Sequence, residues 1–133
     1  MNQNSLTQKL RLLTGAGVFV ALSLLAPITA AQAGQADVLK AVAQEQGAGS
    51  WRFDVTIRSA DTGWDYYCDR FEIVGPQGKV LGTRILAHPH ETEQPFTRSL
   101  SRVAIPAGVS EVTVRAAMKP DGAGGEMVTV QLK

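Results

Sequence analysis

The stretch WRFDVTIR, residues 51–58, restricts the fold more than any other part of this chain. Trp51, Phe53, Val55 and Ile57 alternate with Arg52, Asp54, Thr56 and Arg58. Alternate side chains of an extended chain point to opposite faces, so this pattern separates apolar from wet only as a half-buried strand. Val112, Val114, Ala116 and Met118 repeat it against Glu111, Thr113, Arg115 and Ala117, and Val128, Val130 and Leu132 repeat it near the end. Segments 71–74 and 80–86 are rich in β-branched and aromatic residues, which suit strands. Segment 36–46 is rich in helix formers but alternates through Val38, Lys40 and Val42, and it reads as an edge strand.

Turn residues punctuate the strands. Gly75-Pro76-Gln77-Gly78 predicts a type I hairpin turn, with proline at the position whose φ it presets. Pro106-Ala107-Gly108 and Lys119-Pro120-Asp121-Gly122 mark two further turns, and Gly47-Ala48-Gly49-Ser50 precedes residue 51. About seven short strands with this spacing predict an all-β fold, a single antiparallel β-sandwich. No helical stretch supports a βαβ unit, which excludes a nucleotide-binding α/β fold.

Residues 1–33 read as a signal peptide. Lys9 and Arg11 precede a nearly unbroken apolar run of 14 residues, 12–25, and Ala31-Gln32-Ala33 supplies a small-x-small cleavage pattern. A membrane span needs roughly 20 residues, so cleavage is expected, with no stable anchor afterwards. The domain then runs over 34–133, in the periplasm or secreted. Of the thirteen Lys and Arg, Lys9 and Arg11 leave with the segment, and the rest stand against twelve Asp and Glu. That balance, without a basic block, argues against nucleic acid as a partner.

Two sets of motifs carry resemblances. Residues 103–116, VAIPAGVSEVTVRA, resemble the corner between the fifth and sixth strands of immunoglobulin-like and fibronectin type III-like domains, though no tyrosine fills the corner and no Cys–Trp–Cys pattern is present. The strings WRFDVTI, GWDYYCDRFEIV, LGTRIL, HPHETEQPFTRSL and AIPAGVSEVTVRA resemble a family of small exported bacterial proteins without an assigned activity. The first resemblance implies an immunoglobulin-like sandwich and the second an exported domain. Neither implies a reaction, since a fold does not fix a function.

The candidate chemistry is concentrated in AHPHETEQPF, residues 87–96. Pro89 favours an extended His88, and two imidazoles at i and i+2 then face the same side, as zinc or copper pairs do. His88 and His90 are therefore candidate metal ligands, with Glu91, Glu93 or Cys68 as further donors. Against this stands number: a structural metal site takes about four protein ligands. A histidine-proline-x-glutamate phrase also occurs in superoxide reductases, whose iron is held by a larger histidine set than the two in this chain. The alternative is a polar crossover loop, with Phe96 anchored in the core and Arg84 and Arg98 paired with Glu91 or Glu93.

Gly63-Trp64-Asp65-Tyr66-Tyr67-Cys68 offers an aromatic surface for sugar or peptide, or a cover for the end of the core, with Asp61 and Asp65 making turn hydrogen bonds. Trp64, Tyr66, Glu91, Glu93 and Arg98 are thus candidate binding-loop residues. Cys68 is the single cysteine, so no internal disulfide forms. In a regular strand it would face away from Phe71 and Ile73, accessible for a disulfide-linked dimer. Free cysteines are more often buried. No adjacent base or oxyanion hole activates it. The expectation is a non-catalytic exported module that binds another exported protein and has no cofactor. The alternative is a periplasmic copper or zinc protein.

Overall fold

Residues 35–133 are described in the computed structural model, so the signal peptide and its cleavage point lie outside the described residues. The alternating segments fold as strands in chain order: β1 (Asp37–Glu45), β2 (Ser50–Arg58), β3 (Tyr67–Val74), β4 (Val80–Ile85), β5 (Phe96–Ala104), β6 (Glu111–Lys119), β7 (Gly122–Ala123) and β8 (Val128–Gln131). They form two antiparallel sheets. One has the order β1-β2-β5; the other has β4-β3-β6-β7, with β8 also paired to β6. The architecture is an all-β sandwich, as the alternation predicts.

The apolar face of each strand lies between the sheets. Phe53, Val55 and Ile57 of β2, Phe71 and Ile73 of β3, and Val112, Val114 and Met118 of β6 are buried with Phe96 and Val103 of β5. On the outer face of the larger sheet, Glu72 accepts from Arg70 at 2.9 Å and from Arg115 at 2.7 Å. On the outer face of the smaller sheet, Arg52, Asp54 and Ser99 are joined, and the Thr56 and Thr97 hydroxyls meet at 2.8 Å.

About seven strands are expected, and eight are present among the described residues, because the glycine-rich turn after Lys119 itself pairs briefly as β7. Two expectations need correction. Residues 96–99, expected in the loop that Phe96 anchors, already belong to a nine-residue strand, β5. The hairpin turn between β3 and β4 is not type I. Gln77 and Gly78 sit at φ 63° and 76°, and the Lys79 amide donates to the Pro76 carbonyl at 3.4 Å. Two central residues at positive φ twist with the hairpin, where a type I turn would splay it.

Register shifts interrupt β1 at Leu39, β4 at Leu81, β3 at Asp69 and β5 before Val103, where Arg102 has φ 61°. Each is a bulge, an extra residue that bends its strand. The sandwich closes differently along its two sides. On one, Arg84 of β4 donates to the Ser99 carbonyl of β5 at 3.0 Å. Gly82 lets the strands approach, since a Cβ there would press on Leu100 and Val103 at 3.1 and 3.2 Å. On the other side, the Val38 amide donates to the Glu126 carbonyl at 2.9 Å, and Asp37 accepts from the Glu126 amide at 2.8 Å.

Candidate functional site

The chain leaves β2 at Arg58 and re-enters at Tyr67 through a loop whose centre is a buried carboxylate. The side chain of Asp61 is 0% exposed. Its Oδ1 accepts from the Ser59 hydroxyl at 2.7 Å and from the Cys68 amide at 2.9 Å. Its Oδ2 accepts from the His90 amide at 2.8 Å. The expected turn bonds are therefore present, and one bond goes further, tying this loop to the β4–β5 crossover 29 residues away. A buried carboxylate that accepts several N–H and O–H donors has its hydrogen-bonding capacity met away from water.

Gln94 makes the second tie. Its amide donates to the His90 carbonyl at 2.8 Å and to the Ser59 hydroxyl at 3.2 Å, and its carbonyl accepts from the Ser59 amide at 2.9 Å. Ser59, Asp61, His90 and Gln94 thus bind two loops into one unit at one end of the sandwich. The turn after β6 joins them, because the Tyr66 hydroxyl bonds to Asp121. Burial, then Asp121, push the Tyr66 hydroxyl up in pKa.

The two histidines of the crossover share a side, as the extended Pro89 geometry predicts, with ring centroids 4.5 Å apart. Their surroundings differ. His88 is exposed, and its Nδ1 donates to the Pro89 carbonyl at 2.9 Å. His90 is buried and stacks on Phe96 at 4.0 Å and 10°. Its Nε2 lies 3.0 Å from Arg98 Nη2. A guanidinium only donates, so Nε2 is the acceptor and the ring proton belongs on Nδ1. That Nδ1 has no hydrogen-bond partner among the described residues and stands 4.0 Å from Asp61 Oδ2. Burial, then Arg98 and His88, hold the His90 pKa below its ordinary value, which keeps the ring neutral at pH 7.

The metal expectation rested on both imidazoles facing one ion. Here the Nε2 of His90 is occupied by a guanidinium. Among the described residues, no group of three or more His, Cys, Asp or Glu is gathered to hold a metal ion. Of the expected ion pairs, Arg98 reaches Glu93 at 3.4 Å, while Arg84 bonds to the β5 backbone and not to a glutamate. Phe96 is buried as expected.

Cys68 is buried, and its orientation corrects the regular-strand reading. The bulge at Asp69 shifts the alternation, so Cys68 faces the core together with Phe71 and Ile73. Its thiol donates to the Arg70 carbonyl at 3.6 Å. Desolvation, then the Asp61 charge, push its pKa up to about 12. A protonated thiol without exposure is a poor nucleophile and does not reach another chain's sulfur while the sandwich is closed.

Over this buried unit stands the exposed aromatic residue. Gly63 and Tyr66 close a tight turn with Trp64 and Asp65 at its tip. Trp64 is 63% exposed and meets Tyr67 edge-on at 5.7 Å, while Lys119 Nζ lies 5.9 Å from the Tyr67 ring centre. Glu91 approaches the turn from the crossover, its Oε1 being 3.9 Å from where a Cβ on Gly63 would lie. The structure thus brings together Trp64, Tyr66, Glu91 and His90. It places Glu93 and Arg98 at the adjoining edge. Sequence reasoning underrated Asp61. Its only signal was an acid in a Ser-Ala-Asp-Thr-Gly turn, which marks a turn without showing its reach.

The chain is similar to a protein of Halomicrobium mukohataei described as a "Putative lipoprotein", with 35% identity over 96 residues, covering 72% of this chain and 47% of that protein. The chain thus spans about half the length of this curated relative. No known family matches it, and no solved structure does.

Proposed function

We propose that this chain is an exported, non-catalytic binding module of the immunoglobulin-like class, with the loop end around Trp64 as its ligand-facing surface. The observation that carries this reading is a large aromatic ring held in solvent by a rigid base. Trp64 is 63% exposed at the tip of a closed turn. The loop that carries the turn is tied to the crossover beside it by Asp61, which accepts from the His90 amide, and by Ser59, which bonds to Gln94. Tryptophan is the residue type most enriched at binding hot spots, and a base fixed by buried hydrogen bonds lowers the ordering cost of association.

Export is supported by the apolar run behind Lys9 and Arg11 and by the similarity to a protein described as a lipoprotein. The immunoglobulin-like class is supported by the strand order β1-β2-β5 in one sheet and by β4-β3-β6 in the other, with β7 and β8 both paired to β6. A non-catalytic role is supported by the states of the reactive groups: Cys68 is protonated and buried, and His90 has its acceptor nitrogen on Arg98.

The test is site-specific photocrosslinking in the producing cells. A photoreactive residue at Trp64 is expected to give a discrete adduct. The same residue at Thr113, on β6 near the opposite end, is expected to give none. Equal labelling at both ends, or no adduct at Trp64, would reject the assignment. N-terminal sequencing of the secreted or periplasmic protein checks export and is expected to start at Gly34.

A further inference from the structure

We infer that the outer edge of β1 pairs with the β1 of a second copy of this chain. The register fixes which groups are free. Gln46 donates to the Ser50 carbonyl at 2.7 Å, and the β1–β2 register from Glu45↔Trp51 to Lys40↔Thr56 is uninterrupted. Bonded pairs alternate along an antiparallel ladder. Gln44, Val42 and Lys40 therefore use their backbone groups on β2, and Ala41, Ala43 and Glu45 present theirs outward. Below the bulge at Leu39 the outward amide is that of Val38, already bonded to Glu126. Above it, the outward row continues without a neighbouring strand among the described residues, since β1 is the end of its sheet there.

Of the other long edges, β4 and β5 face each other across the sandwich, and Arg84 of β4 caps the Ser99 carbonyl of β5. β1 also exposes two large apolar side chains, Leu39 at 41% and Val42 at 39%. An unpaired edge with apolar side chains is a template for another strand.

The β1 sequence itself favours a second copy. An antiparallel pairing with its two-fold at Val42 puts Val42 against Val42 of the second copy, in the closer, non-bonded kind of pair. Ala41 and Ala43 of the second copy then exchange backbone hydrogen bonds, and so do Ala43 and Ala41 of the second copy. On the outer face Lys40 stands opposite Gln44 of the second copy, so no like charges oppose each other. Next to the two-fold the inner face holds the methyl groups of Ala41 and Ala43, small enough for two sandwiches to lie side by side. The result is a continuous six-stranded sheet, since each smaller sheet contributes β1, β2 and β5.

The experiment is sedimentation of the exported protein across a concentration series, together with three variants. Wild type is expected to show a reversible monomer–dimer equilibrium. Ala43→Pro removes an amide that the fold does not use, so it should shift the protein to monomer and leave β1–β2 intact. Val42→Lys, which places like charges at the two-fold, should weaken dimerisation at least tenfold, with recovery at high salt. Val42→Cys should form a disulfide dimer under mild oxidation, since facing Cβ atoms of a non-bonded pair lie about 4.5–5.5 Å apart. Thermal unfolding of each variant separates loss of pairing from loss of fold. A wild type that stays monomeric at millimolar concentration overturns the inference. So does a folded Ala43→Pro variant that dimerises like wild type.

Discussion

The two ends of this sandwich are built on different principles. At one end, three connections meet over a buried carboxylate, and side chains do the joining: Ser59, Asp61, His90 and Gln94 within two loops, and Tyr66 with Asp121 in the third. At the other end, backbone turns suffice. Val74, Gly75 and Pro76 face residues 108–113 across a shallow cleft of about 240 Å³. The bonds there run between backbone groups, within a turn as Gly75 with Lys79 and Val109 with Pro106, and between neighbours as Ile105 with Gly49. The contrast shows where an exposed side chain can be held still. Backbone ladders hold the turns of one end whatever their side chains, whereas loops sharing one buried side-chain acceptor keep a mutual position that depends on that residue.

The sharpest way to break this contrast is Asp61→Ala. It leaves the amides of Cys68 and His90 without their acceptor in a dry site. Each such group costs about 1–3 kcal/mol, so a loss of roughly 3–4 kcal/mol is expected in urea unfolding. Cys68 reports the same event chemically. Native protein should resist maleimide, because its thiol is buried with a pKa near 12. The Asp61→Ala variant should label much faster under native conditions. Fast labelling of wild type would show that the end is open.

A smaller effect follows from His90. Its folded pKa lies below the unfolded value of 6.5. As pH falls through 6.5 the unfolded chain takes up the proton first, so the folded state loses stability there and regains it above. The slope is at most about 1.4 kcal/mol per pH unit for one proton. Urea midpoints measured between pH 7.5 and 5.5 should fall, and His90→Phe should flatten that fall. At the opposite end the expected change is smallest. Gly108 has φ 87°, where an L side chain is strained, so Gly108→Ala should cost about 1 kcal/mol. It should leave both maleimide labelling and the pH slope unchanged. If it alters either, the two ends are coupled through the core.

Legibility in the sequence followed the range of the interactions. Alternation in β2, β6 and β8 was readable because a strand's side-chain period is local. Even the ambiguous segment of β1 was readable, since its loose period of two outweighed helix propensity. The bulges were not readable. One extra residue at Asp69 reverses which side Cys68 faces, and nothing in Tyr-Cys-Asp-Arg announces it. The crossover was recognised as polar and pinned by Phe96. Its real fastening, to Asp61, depends on a contact across 29 residues, which no local pattern encodes. Counting ligands discouraged a rich metal site, but only the fold placed the Arg98 guanidinium on His90.

The tie between Val38 and Glu126 has a kinetic consequence. It joins the first strand to the approach of the last, and the Asp37–Glu126 bond beside it spans 89 residues. Contacts between distant parts of a chain slow folding, because loop closure must precede any return from them. Synthesis from the amino end delivers β1 long before β8. Through that interval the seam that Glu126 later closes stands open. Until the last residues arrive, the bulge at Leu39 is what limits strand pairing on that part of β1.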